Sequence, residues 1–211
     1  MKRLMRKQSV IGCVAAFFFL CLVVPLHAAA AENKTLTDLM AAYNGESNAH
    51  AKYLAYAKKA DEQGYGKVAS LFRAAADAEG IHLKNHAEVI KAMGGTPKAD
   101  IKLPEIKSTK ENLEDALKGE TYERITMYPE FIEQAKQDNN KEAVQTFTYA
   151  MFAEAEHAKL YKEALDNLES WKGANTDFYV CQTCGYTVEG KPSFEFCPVC
   201  ATPAKDYKRI S

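Results

Sequence analysis

Glutamate and histidine residues recur along this chain at the spacing of metal ligands on helices. Two Glu-x-x-His motifs are present, Glu79 with His82 and Glu154 with His157. Residues three apart on an α-helix lie on one face, so each motif can direct two ligands toward the same point. An ionised carboxylate inside a protein is strongly destabilised without a partner, and a bound cation supplies one. The two motifs therefore predict a dinuclear metal site inside a helical bundle.

Three further glutamates extend the pattern to two more helices. Glu46 and Glu120 each offer one carboxylate, and Glu123 lies one helical turn after Glu120. Glu123 is thus a seventh candidate ligand. A surplus carboxylate lets one metal change partners with its charge, because a ferric ion favours an anionic oxygen more strongly than a ferrous ion does. Carboxylates and imidazoles suit iron or manganese, and they do not by themselves exclude zinc.

Four long segments with apolar residues at helical spacing must position these ligands. The predicted helices span about residues 36–63, 67–93, 108–137 and, after a break at 138–140, the stretch to residue 169. The ligands fall near the middle of each helix, so antiparallel packing brings them to one level. We predict an all-α four-helix bundle, in which residues 94–108 form a crossover along the bundle rather than a tight turn.

Local signals mark two of the helix starts and one irregularity. Thr35 with Asp38, and Ser108 with Glu111, have the spacing of capping boxes at the starts of the first and third helices. Pro129 lies inside the third helix and is expected to kink it, because proline removes one hydrogen bond of the helix ladder.

Tyrosine and histidine side chains accompany the candidate ligands. Tyr53 shares the helix face of Glu46, and Tyr128 directly precedes a proline. Near a metal pair a phenol could donate a hydrogen bond to a bound oxygen species, although most such tyrosines are core residues with a satisfied hydroxyl. His50 and His86 each lie one turn from a candidate ligand. Either could support a metal ligand as its hydrogen-bond partner, but we expect both on an outer helix face or in ordinary packing.

Four cysteines near the C-terminus form two C-x-x-C pairs, Cys181/Cys184 and Cys197/Cys200, separated by twelve residues. Two such pairs can converge on one ion in a tetrahedral thiolate site. This motif alone is more often a zinc site, whereas its combination with a two-metal bundle favours iron. Two disulfides are the alternative in an exported protein. The spacing favours chelation.

The N-terminus has the layout of a secretory signal peptide. A basic start precedes an apolar stretch that Pro25 ends, and Ala28–Ala31 supplies small residues for cleavage. The alternative is an uncleaved membrane anchor, because no charge lies between Lys7 and Glu32. We expect removal of residues 1–30, export to the periplasm and no stable membrane insertion afterwards.

The charge balance argues against a nucleic-acid partner. Lys and Arg number 27 and Asp and Glu number 28 among 211 residues, a net charge of -1. Without residues 1–30, 23 basic and 28 acidic residues remain, a net charge of -5. Nucleic-acid binding would need a basic face, which this composition does not favour.

Together these residues resemble the rubrerythrin family, over nearly the whole chain from about Leu36 to Ile210. The resemblance rests on Gly45-Glu46-Ser47, Glu79-x-x-His82, Gly119-Glu120-x-x-Glu123, Met127-Tyr128-Pro129, Glu154-x-x-His157, Cys181-x-x-Cys184 and Cys197-Pro198-x-Cys200. It implies a ferritin-like bundle with a di-iron centre, followed by a small β-rich rubredoxin-like Fe(Cys)4 domain. The implied division is a signal peptide at 1–30, the di-iron domain at 31–172 and the rubredoxin-like domain at 173–211.

The resemblance also implies where three irons per chain bind. One iron has the ligands Glu46, Glu79, Glu154 and, depending on oxidation state, His82 or Glu123. The iron beside it has the ligands Glu79, Glu120, Glu154 and His157. The third iron has the four cysteines. The implied catalytic residues are Tyr53, Tyr128 and Glu123.

The implied activity is the reduction of hydrogen peroxide to water, with electrons relayed through the rubredoxin-like iron, in protection against oxidative stress. An unidentified protein would donate the electrons, since an exported chain lies away from soluble nicotinamide-linked reductases. The family resemblance implies homodimers in which the rubredoxin-like iron of one subunit lies near the di-iron site of the other. The alternatives are a ferroxidase or iron-sequestering ferritin-like protein, and a binding module, each with structural zinc in the cysteine tail.

Overall fold

The computed structural model describes residues 33–211, and the predicted signal peptide lies outside them. The helices in chain order are α1 (Lys34–Glu62), α2 (Gly66–Ala92), α3 (Thr109–Tyr122), α4 (Tyr128–Gln137) and α5 (Lys141–Asp166). Helix α1 packs chiefly against α2, whereas α3 and α4 pack in sequence against α5. The predicted four-helix bundle is confirmed, with α3 and α4 sharing one of its four positions. Within the described range, no helix is both long and apolar enough to span a membrane.

The N-terminal ends of α1 and α3 are capped differently. The side chain of Asn33 accepts a hydrogen bond from the backbone N–H of Leu36 at 3.1 Å and caps α1. The predicted capping box at Thr35 is therefore wrong, and the Thr35 hydroxyl instead donates to Asp138 at 2.6 Å. The predicted capping box of Ser108 at the start of α3 is confirmed. Asn33 thereby satisfies one of the N–H groups at the start of α1 that have no partner within the helix.

A π-helical turn, Glu123–Met127, separates α3 from α4. Within it, the backbone N–H of Tyr128 donates to the carbonyl of Glu123, five residues earlier. Pro129 follows directly and has no N–H, so it lies at the start of α4, where none is needed. The irregularity that the sequence predicts at the proline therefore lies just before it. Such single π turns insert one residue into a helix and often occur at functional sites.

The segment between α2 and α3 follows α1. Backbone N–H groups of Asp100 and Lys102 donate to the side chains of Asn44 and Asn48, at 2.8 and 2.7 Å. Asn48 donates in return to the carbonyl of Asp100 at 3.0 Å. These bonds attach an irregular segment to the helix face, as expected for the predicted crossover.

Two apolar clusters fill the bundle. One contains Tyr53, Tyr56, Phe72 and Tyr161 with many alanines of α1 and α2. The other contains Leu39, Ile90, Tyr128 and Phe147. The candidate ligands lie between the clusters, because Tyr53 of the first and Tyr128 of the second both donate hydrogen bonds to ligand carboxylates. Close packing on both sides keeps bulk water from that layer.

The cysteine-containing tail forms a small three-stranded antiparallel sheet. Its strands are β1 (Phe178–Cys181), β2 (Thr187–Glu189) and β3 (Tyr207–Ile210), in the spatial order β2-β1-β3. The predicted β-rich domain is confirmed. Residues 33–211 lie in one compact unit, so the proposed domain boundary at residues 172/173 stays a prediction.

The tail folds back onto the bundle of its own chain. Gly173 donates its backbone N–H to the carbonyl of Gly64 at 3.0 Å, which directs the chain past the α1–α2 turn. Gln182 then donates to Asp77 of α2 at 3.1 Å, and Asn85 of α2 donates to the carbonyl of Thr183 at 2.9 Å. These contacts hold the cysteine pairs against the middle of α2, next to the candidate ligands.

Candidate metal centres

Four helices contribute ligands at one level of the bundle. The six residues are Glu46 from α1, Glu79 and His82 from α2, Glu120 from α3, and Glu154 and His157 from α5. All six are buried. The spacing of three residues therefore places the glutamate and histidine of each motif on the same inward face, as predicted.

The ligand atoms form two overlapping groups. Atoms of Glu46, Glu79, His82 and Glu154 lie within 4.8 Å of one another, and so do atoms of Glu79, Glu120, Glu154 and His157. In the first group, His82 Nδ1 lies 2.9 Å from Glu79 Oε2 and 3.0 Å from Glu154 Oε1. In the second, His157 Nδ1 lies 2.9 Å from Glu154 Oε2. Because Glu79 and Glu154 belong to both groups, two metal ions there would share them as bridging ligands.

Charge inside the cluster is unbalanced without cations. Burial and then Glu154 raise the pKa of Glu79 well above its usual range, and the same causes raise the pKa of Glu120 to about 7. Burial alone would lower the pKa of His157, but Glu120 and Glu154 raise it to about 9. The carboxylates repel one another and therefore favour protonation of the neighbouring carboxylates and histidines. Cations bound in place of these protons would remove the repulsion.

Several buried ligand atoms also have no hydrogen-bond partner. Within residues 33–211 these atoms are Glu46 Oε2, Glu79 Oε1, Glu120 Oε2, both carboxylate oxygens of Glu154, and His157 Nδ1. Buried polar atoms in native proteins almost always have a partner. Oxygen and imidazole atoms converging from four helices fit a pair of divalent cations.

The cysteine-containing tail orients both ligand histidines. The Nε2 of His82 lies 3.2 Å from the carbonyl oxygen of Cys184, and the Nε2 of His157 lies 3.1 Å from the Thr187 hydroxyl. Thr187 donates its own proton to the carbonyl of Gly185 at 2.9 Å, so it accepts from His157. Each Nε2 therefore carries a proton, and each Nδ1 faces the carboxylates, where a metal ion would displace the proton that the carboxylates hold on it. Partners of this kind fix the tautomer and orientation of metal-binding histidines.

Glu123, the seventh candidate, belongs to neither group of ligand atoms. It lies on the π-helical turn, is partly exposed, and lines a cavity of about 260 Å³ with Gly45, Lys52 and Gly119. Burial, Glu46 and Glu120 raise its pKa. His82 occupies the position in the first group that the resemblance assigns to either residue. The structure thus brings six of the seven candidates together and leaves Glu123 at the rim.

Both predicted site tyrosines contact ligand carboxylates. The Tyr53 hydroxyl donates to Glu120 Oε1 at 2.8 Å, and the Tyr128 hydroxyl donates to Glu46 Oε1. Burial raises the pKa of both phenols, so both keep their protons. Tyr161, which the sequence analysis missed, packs edge-on against Tyr53 with ring centroids 5.7 Å apart. It lies one helical turn after the ligand His157, and this spacing could have predicted its place near the site.

The structure corrects the expectation for His86 but not for His50. His50 is partly buried, and its Nδ1 contacts the carbonyl of Ala76 at 2.7 Å, which is ordinary packing. His86 is fully buried beside the site, with Nε2 3.2 Å from the Tyr128 hydroxyl and 3.9 Å from Glu46 Oε1. Burial lowers the pKa of His86, so the ring is neutral. Its position one turn after His82 places it on the inward face.

The four cysteine sulfurs converge at the edge of the sheet. All four lie within 4.8 Å of one another, with Cys181 and Cys200 3.5 Å apart and Cys184 and Cys197 3.6 Å apart. Sulfurs at about 2.3 Å from a tetrahedral ion lie about 3.8 Å apart, so the cluster fits one ion. A hydrogen bond from Cys184 lowers the pKa of Cys181 to about 5, and the same contact with burial raises the pKa of Cys184, so Cys181 is the first thiolate and Cys184 keeps its proton until a metal displaces it.

The fold and both sites agree with known proteins. The Rubrerythrin family model matches residues 38–165. The chain belongs to the Rubrerythrin family. Nigerythrin of Nitratidesulfovibrio vulgaris is 41% identical over 82% of this chain and 85% of its own length. Rubrerythrin-2 of Clostridium acetobutylicum is 37% identical over 79% of this chain and 91% of its own length.

Solved structures support the same assignment. Nigerythrin in a fully reduced, all-ferrous state superimposes with a TM-score of 0.77 at 39% identity, covering 83% of this chain and 86% of that one. A bacterioferritin of Mycobacterium tuberculosis has a TM-score of 0.58 at 18% identity, covering 65% of this chain and 87% of that one. At that identity the second match shows the bundle fold alone. Rubrerythrins are oxidoreductases, and this member has a ferritin-like bundle and a rubredoxin-like tail, with sites for a di-iron centre and an Fe(Cys)4 centre.

One feature differs from what the resemblance implied. The resemblance implied that the cysteine-bound iron near each di-iron site belongs to a partner subunit. In this structure the four cysteines of a chain lie beside its own carboxylate–histidine cluster, in contact through Cys184 and His82. The segment between α5 and β1 is long enough to return past the α1–α2 turn, which makes this arrangement possible within one chain.

Proposed function

We propose that this rubrerythrin is a peroxidase that reduces hydrogen peroxide to water, with electrons supplied through its four-cysteine iron. The observation that carries the proposal is the hydrogen bond between the Cys184 carbonyl and His82 Nε2, at 3.2 Å. It joins the thiolate cluster directly to a di-iron ligand. A protein that only stores iron has no need for such a connection.

We propose that one iron binds to Glu46, Glu79 and Glu154 with His82 or Glu123, and the other to Glu79, Glu120, Glu154 and His157. When bound, the two ferrous ions supply the two electrons that cleave the oxygen–oxygen bond of peroxide, and the thiolate-bound iron returns electrons one at a time. The reaction consumes one peroxide, two electrons and two protons and releases two waters.

The residues around the irons hold the ligands and admit the substrate. Tyr53 and Tyr128 fix the carboxylates of Glu120 and Glu46 by hydrogen bonds, and the two apolar clusters exclude water. The cavity beside Glu123 is lined by Gly45 and Gly119, and a small molecule such as peroxide would fit it. Glu123, which lines this cavity, is the residue that would move toward the iron when the charge on the iron rises.

The electron path needs no large motion. Bonds run from Cys184 Sγ along its side chain and backbone to the carbonyl oxygen, then across the hydrogen bond into the His82 ring. Gly185 makes this approach possible, because a Cβ there would lie 2.4 Å from His82 Nε2. Its φ of +79° is also a conformation that side-chain-bearing residues rarely adopt.

The direct test is stopped-flow oxidation of the fully reduced iron-loaded protein by hydrogen peroxide and, separately, by dioxygen. The proposal expects much faster oxidation by peroxide. Preferential oxidation by dioxygen with iron accumulating in the protein would favour the ferroxidase alternative. Metal analysis of the same samples tests whether the four-cysteine site can transfer electrons, since zinc in that site could not do so.

Glu123→Gln tests the seventh ligand. The variant keeps size and hydrogen bonding but cannot offer an anionic oxygen, so re-oxidation by peroxide should slow while two irons still bind. Glu133→Gln, on the exposed surface of α4, is the matched control and should match the wild type. Equal rates for Glu123→Gln and the wild type would refute a role for Glu123.

We also propose export to the periplasm after removal of residues 1–30, with a separate protein as electron donor and a homodimer as the working state. The support is the basic–apolar–alanine layout of the N-terminus, which lies outside the described residues. N-terminal sequencing of protein recovered from cell fractions tests the first point. An intact N-terminus in the membrane fraction would favour the anchor instead. Light scattering of the mature chain tests the dimer.

A further inference from the structure

Peroxide reduction, as proposed above, consumes two protons at a site that two apolar clusters flank. The ligand carboxylates are buried, and Tyr128 has no exposed surface. A phenol that gives its proton to the site must be reprotonated before the next turnover. The structure offers one route for this that none of the roles described so far uses.

A continuous row of hydrogen bonds leads outward from Tyr128. The Tyr128 hydroxyl contacts His86 Nε2 at 3.2 Å, and His86 Nδ1 contacts the Thr146 hydroxyl at 2.9 Å. His86 is fully buried and Thr146 almost so. The ring of His86 is further held by Phe147, with ring centroids 5.5 Å apart. The row is therefore rigid and shielded along its length.

The hydrogen bonds in this row have one consistent direction. Tyr128 has a single proton and donates it to Glu46, so its oxygen accepts from His86 Nε2. His86 is then protonated on Nε2, and its Nδ1 accepts from the Thr146 hydroxyl. Every proton in the row points toward the metal site. Such an arrangement is ready to pass a proton inward by successive short transfers.

The outer end of the row reaches solvent. Thr146 lines an open cavity of about 340 Å³ between α2 and α5, together with Asn85, Glu88, Gln145 and Tyr149. Because the cavity is open and of this volume, water molecules can enter it. Water there can give a proton to the Thr146 hydroxyl. The cavity beside Glu123 is lined by α1, α3 and the crossover instead, so protons and peroxide would enter separately.

We propose that Thr146, His86 and Tyr128 form a proton relay from this cavity to the di-iron site. Water gives a proton to Thr146 as Thr146 gives its own to His86 Nδ1. His86 releases the proton on Nε2 to Tyr128, and Tyr128 releases its proton at Glu46 for the product water. One proton leaves the solvent and one reaches the site, and no charge stays on the relay. Rotation of the hydroxyls and the return of the His86 tautomer reset it.

The first test measures proton movement without redox chemistry. Zinc replaces iron in the full-length protein, and nuclear magnetic resonance with ¹⁵N-labelled histidine follows exchange of the His86 Nε2 proton with water. Thr146→Val keeps the shape of the side chain but removes the hydroxyl, so exchange should slow. Thr146→Ser should restore it. Thr148→Val, which removes a hydroxyl bonded only to the Val144 carbonyl of the same helix, should exchange like the wild type.

The second test uses the iron-loaded protein in one turnover with peroxide. Thr146→Val should oxidise more slowly by roughly 100-fold, the lower end of what a positioned proton-transfer group contributes, and Thr146→Ser should recover the rate. Unchanged histidine proton exchange in Thr146→Val would overturn the relay. A wild-type protein that does not react with peroxide would instead overturn the proposed function, while the zinc experiment would still decide the relay.

Discussion

The two metal sites of this rubrerythrin depend on opposite kinds of scaffold. The carboxylate–histidine site lies between two large apolar clusters on helices of up to 29 residues. The four-cysteine site lies on a sheet of three strands with at most four residues each. The buried cluster around it consists of three cysteines and Tyr207, whereas Phe178 and Val180 of β1 pack into the first apolar cluster of the bundle. The bundle can bury enough apolar surface to fold without metal, whereas the tail cannot.

The difference indicates what metal binding contributes to the stability of each part of the protein. In the bundle the metals neutralise carboxylates that otherwise repel one another, so they relieve a local strain in an existing fold. In the tail the metal replaces a hydrophobic core. The two sites are nevertheless coupled, because the tail holds the Nε2 atoms of both ligand histidines. The following experiments test this contrast.

The largest effect is expected from Cys197→Ser. Metal binding contributes on the order of 10 kcal/mol to the folding of small domains of this type, so the loss of one thiolate should unfold the tail while the helices stay intact. Hydrogen exchange should lose protection in residues 178–210 only, and metal analysis should show one iron fewer. Thr183→Val, beside the site but not a sulfur ligand, is the control. Loss of protection in the helices as well would contradict independent folding of the bundle.

Glu79→Gln should have the next largest effect. Glu79 belongs to both ligand groups, so the variant should lose both irons of the bundle. Since burial and neighbouring carboxylates raise the pKa of Glu79, the metal-free variant should be at least as stable as the metal-free wild type. Urea unfolding and metal analysis check both points, with Glu88→Gln on the exposed face of the same helix as control. A clear loss of stability in the metal-free variant would show that the cluster is not strained.

The pH dependence of the free energy of unfolding of the metal-free protein should further distinguish the bundle site from the cysteine site. The folded-state pKa values of Glu120, about 7, and His157, about 9, both lie above their ordinary values. The folded state therefore binds these protons more tightly, and the stability they contribute is lost between pH 4.5 and about 7 for Glu120 and between pH 6.5 and about 9 for His157. The free energy of unfolding should fall over these intervals in metal-free protein only. A flat profile would mean that the cluster rearranges when its metals leave.

Gly185→Ala should have the smallest effect on metal binding, because it replaces no ligand of either site. Both Gly185 and Gly190 have positive φ, so alanine at either position should cost about 1–3 kcal/mol. Only at Gly185 would the added methyl group collide with His82, whereas no atom lies within 4 Å at Gly190. Gly190→Ala is therefore the matched control for backbone strain. Electron return to the bundle should slow in Gly185→Ala alone. Equal rates in the two variants would argue against the path through His82.

The sequence predicted the ligands because their spacing is a property of the helix itself. Residues three apart share a helix face, and the spacing of the two C-x-x-C pairs favours binding of one common ion. The location of Glu123 outside both ligand groups depends on a π-helical turn whose position only the packing of α3 and α4 decides. The N-cap at Asn33 was missed because Thr35 offered an equally good local signal but pairs with Asp138 instead.

Two further features depend on contacts between distant parts of the chain. His86 has the same spacing whether it lies in the core or at the surface, and only the bundle places it between Tyr128 and Thr146. The return of the tail onto α2 depends on a close approach of Gly173 to Gly66, where an added Cβ would lie 2.3 Å from the Gly173 carbonyl oxygen. No local pattern in the sequence encodes either contact.

The central claim is that electrons pass from the four-cysteine iron to the bundle site and from there to peroxide. The most direct measurement is stopped-flow absorption of the ferric-thiolate centre after mixing fully reduced protein with hydrogen peroxide. In the wild type the centre should oxidise rapidly, and in Glu79→Gln, which lacks the bundle irons, it should stay reduced on that timescale. Equally fast oxidation in both proteins would show that peroxide reacts with the cysteine site directly. It would contradict electron transfer from the cysteine site through the bundle site.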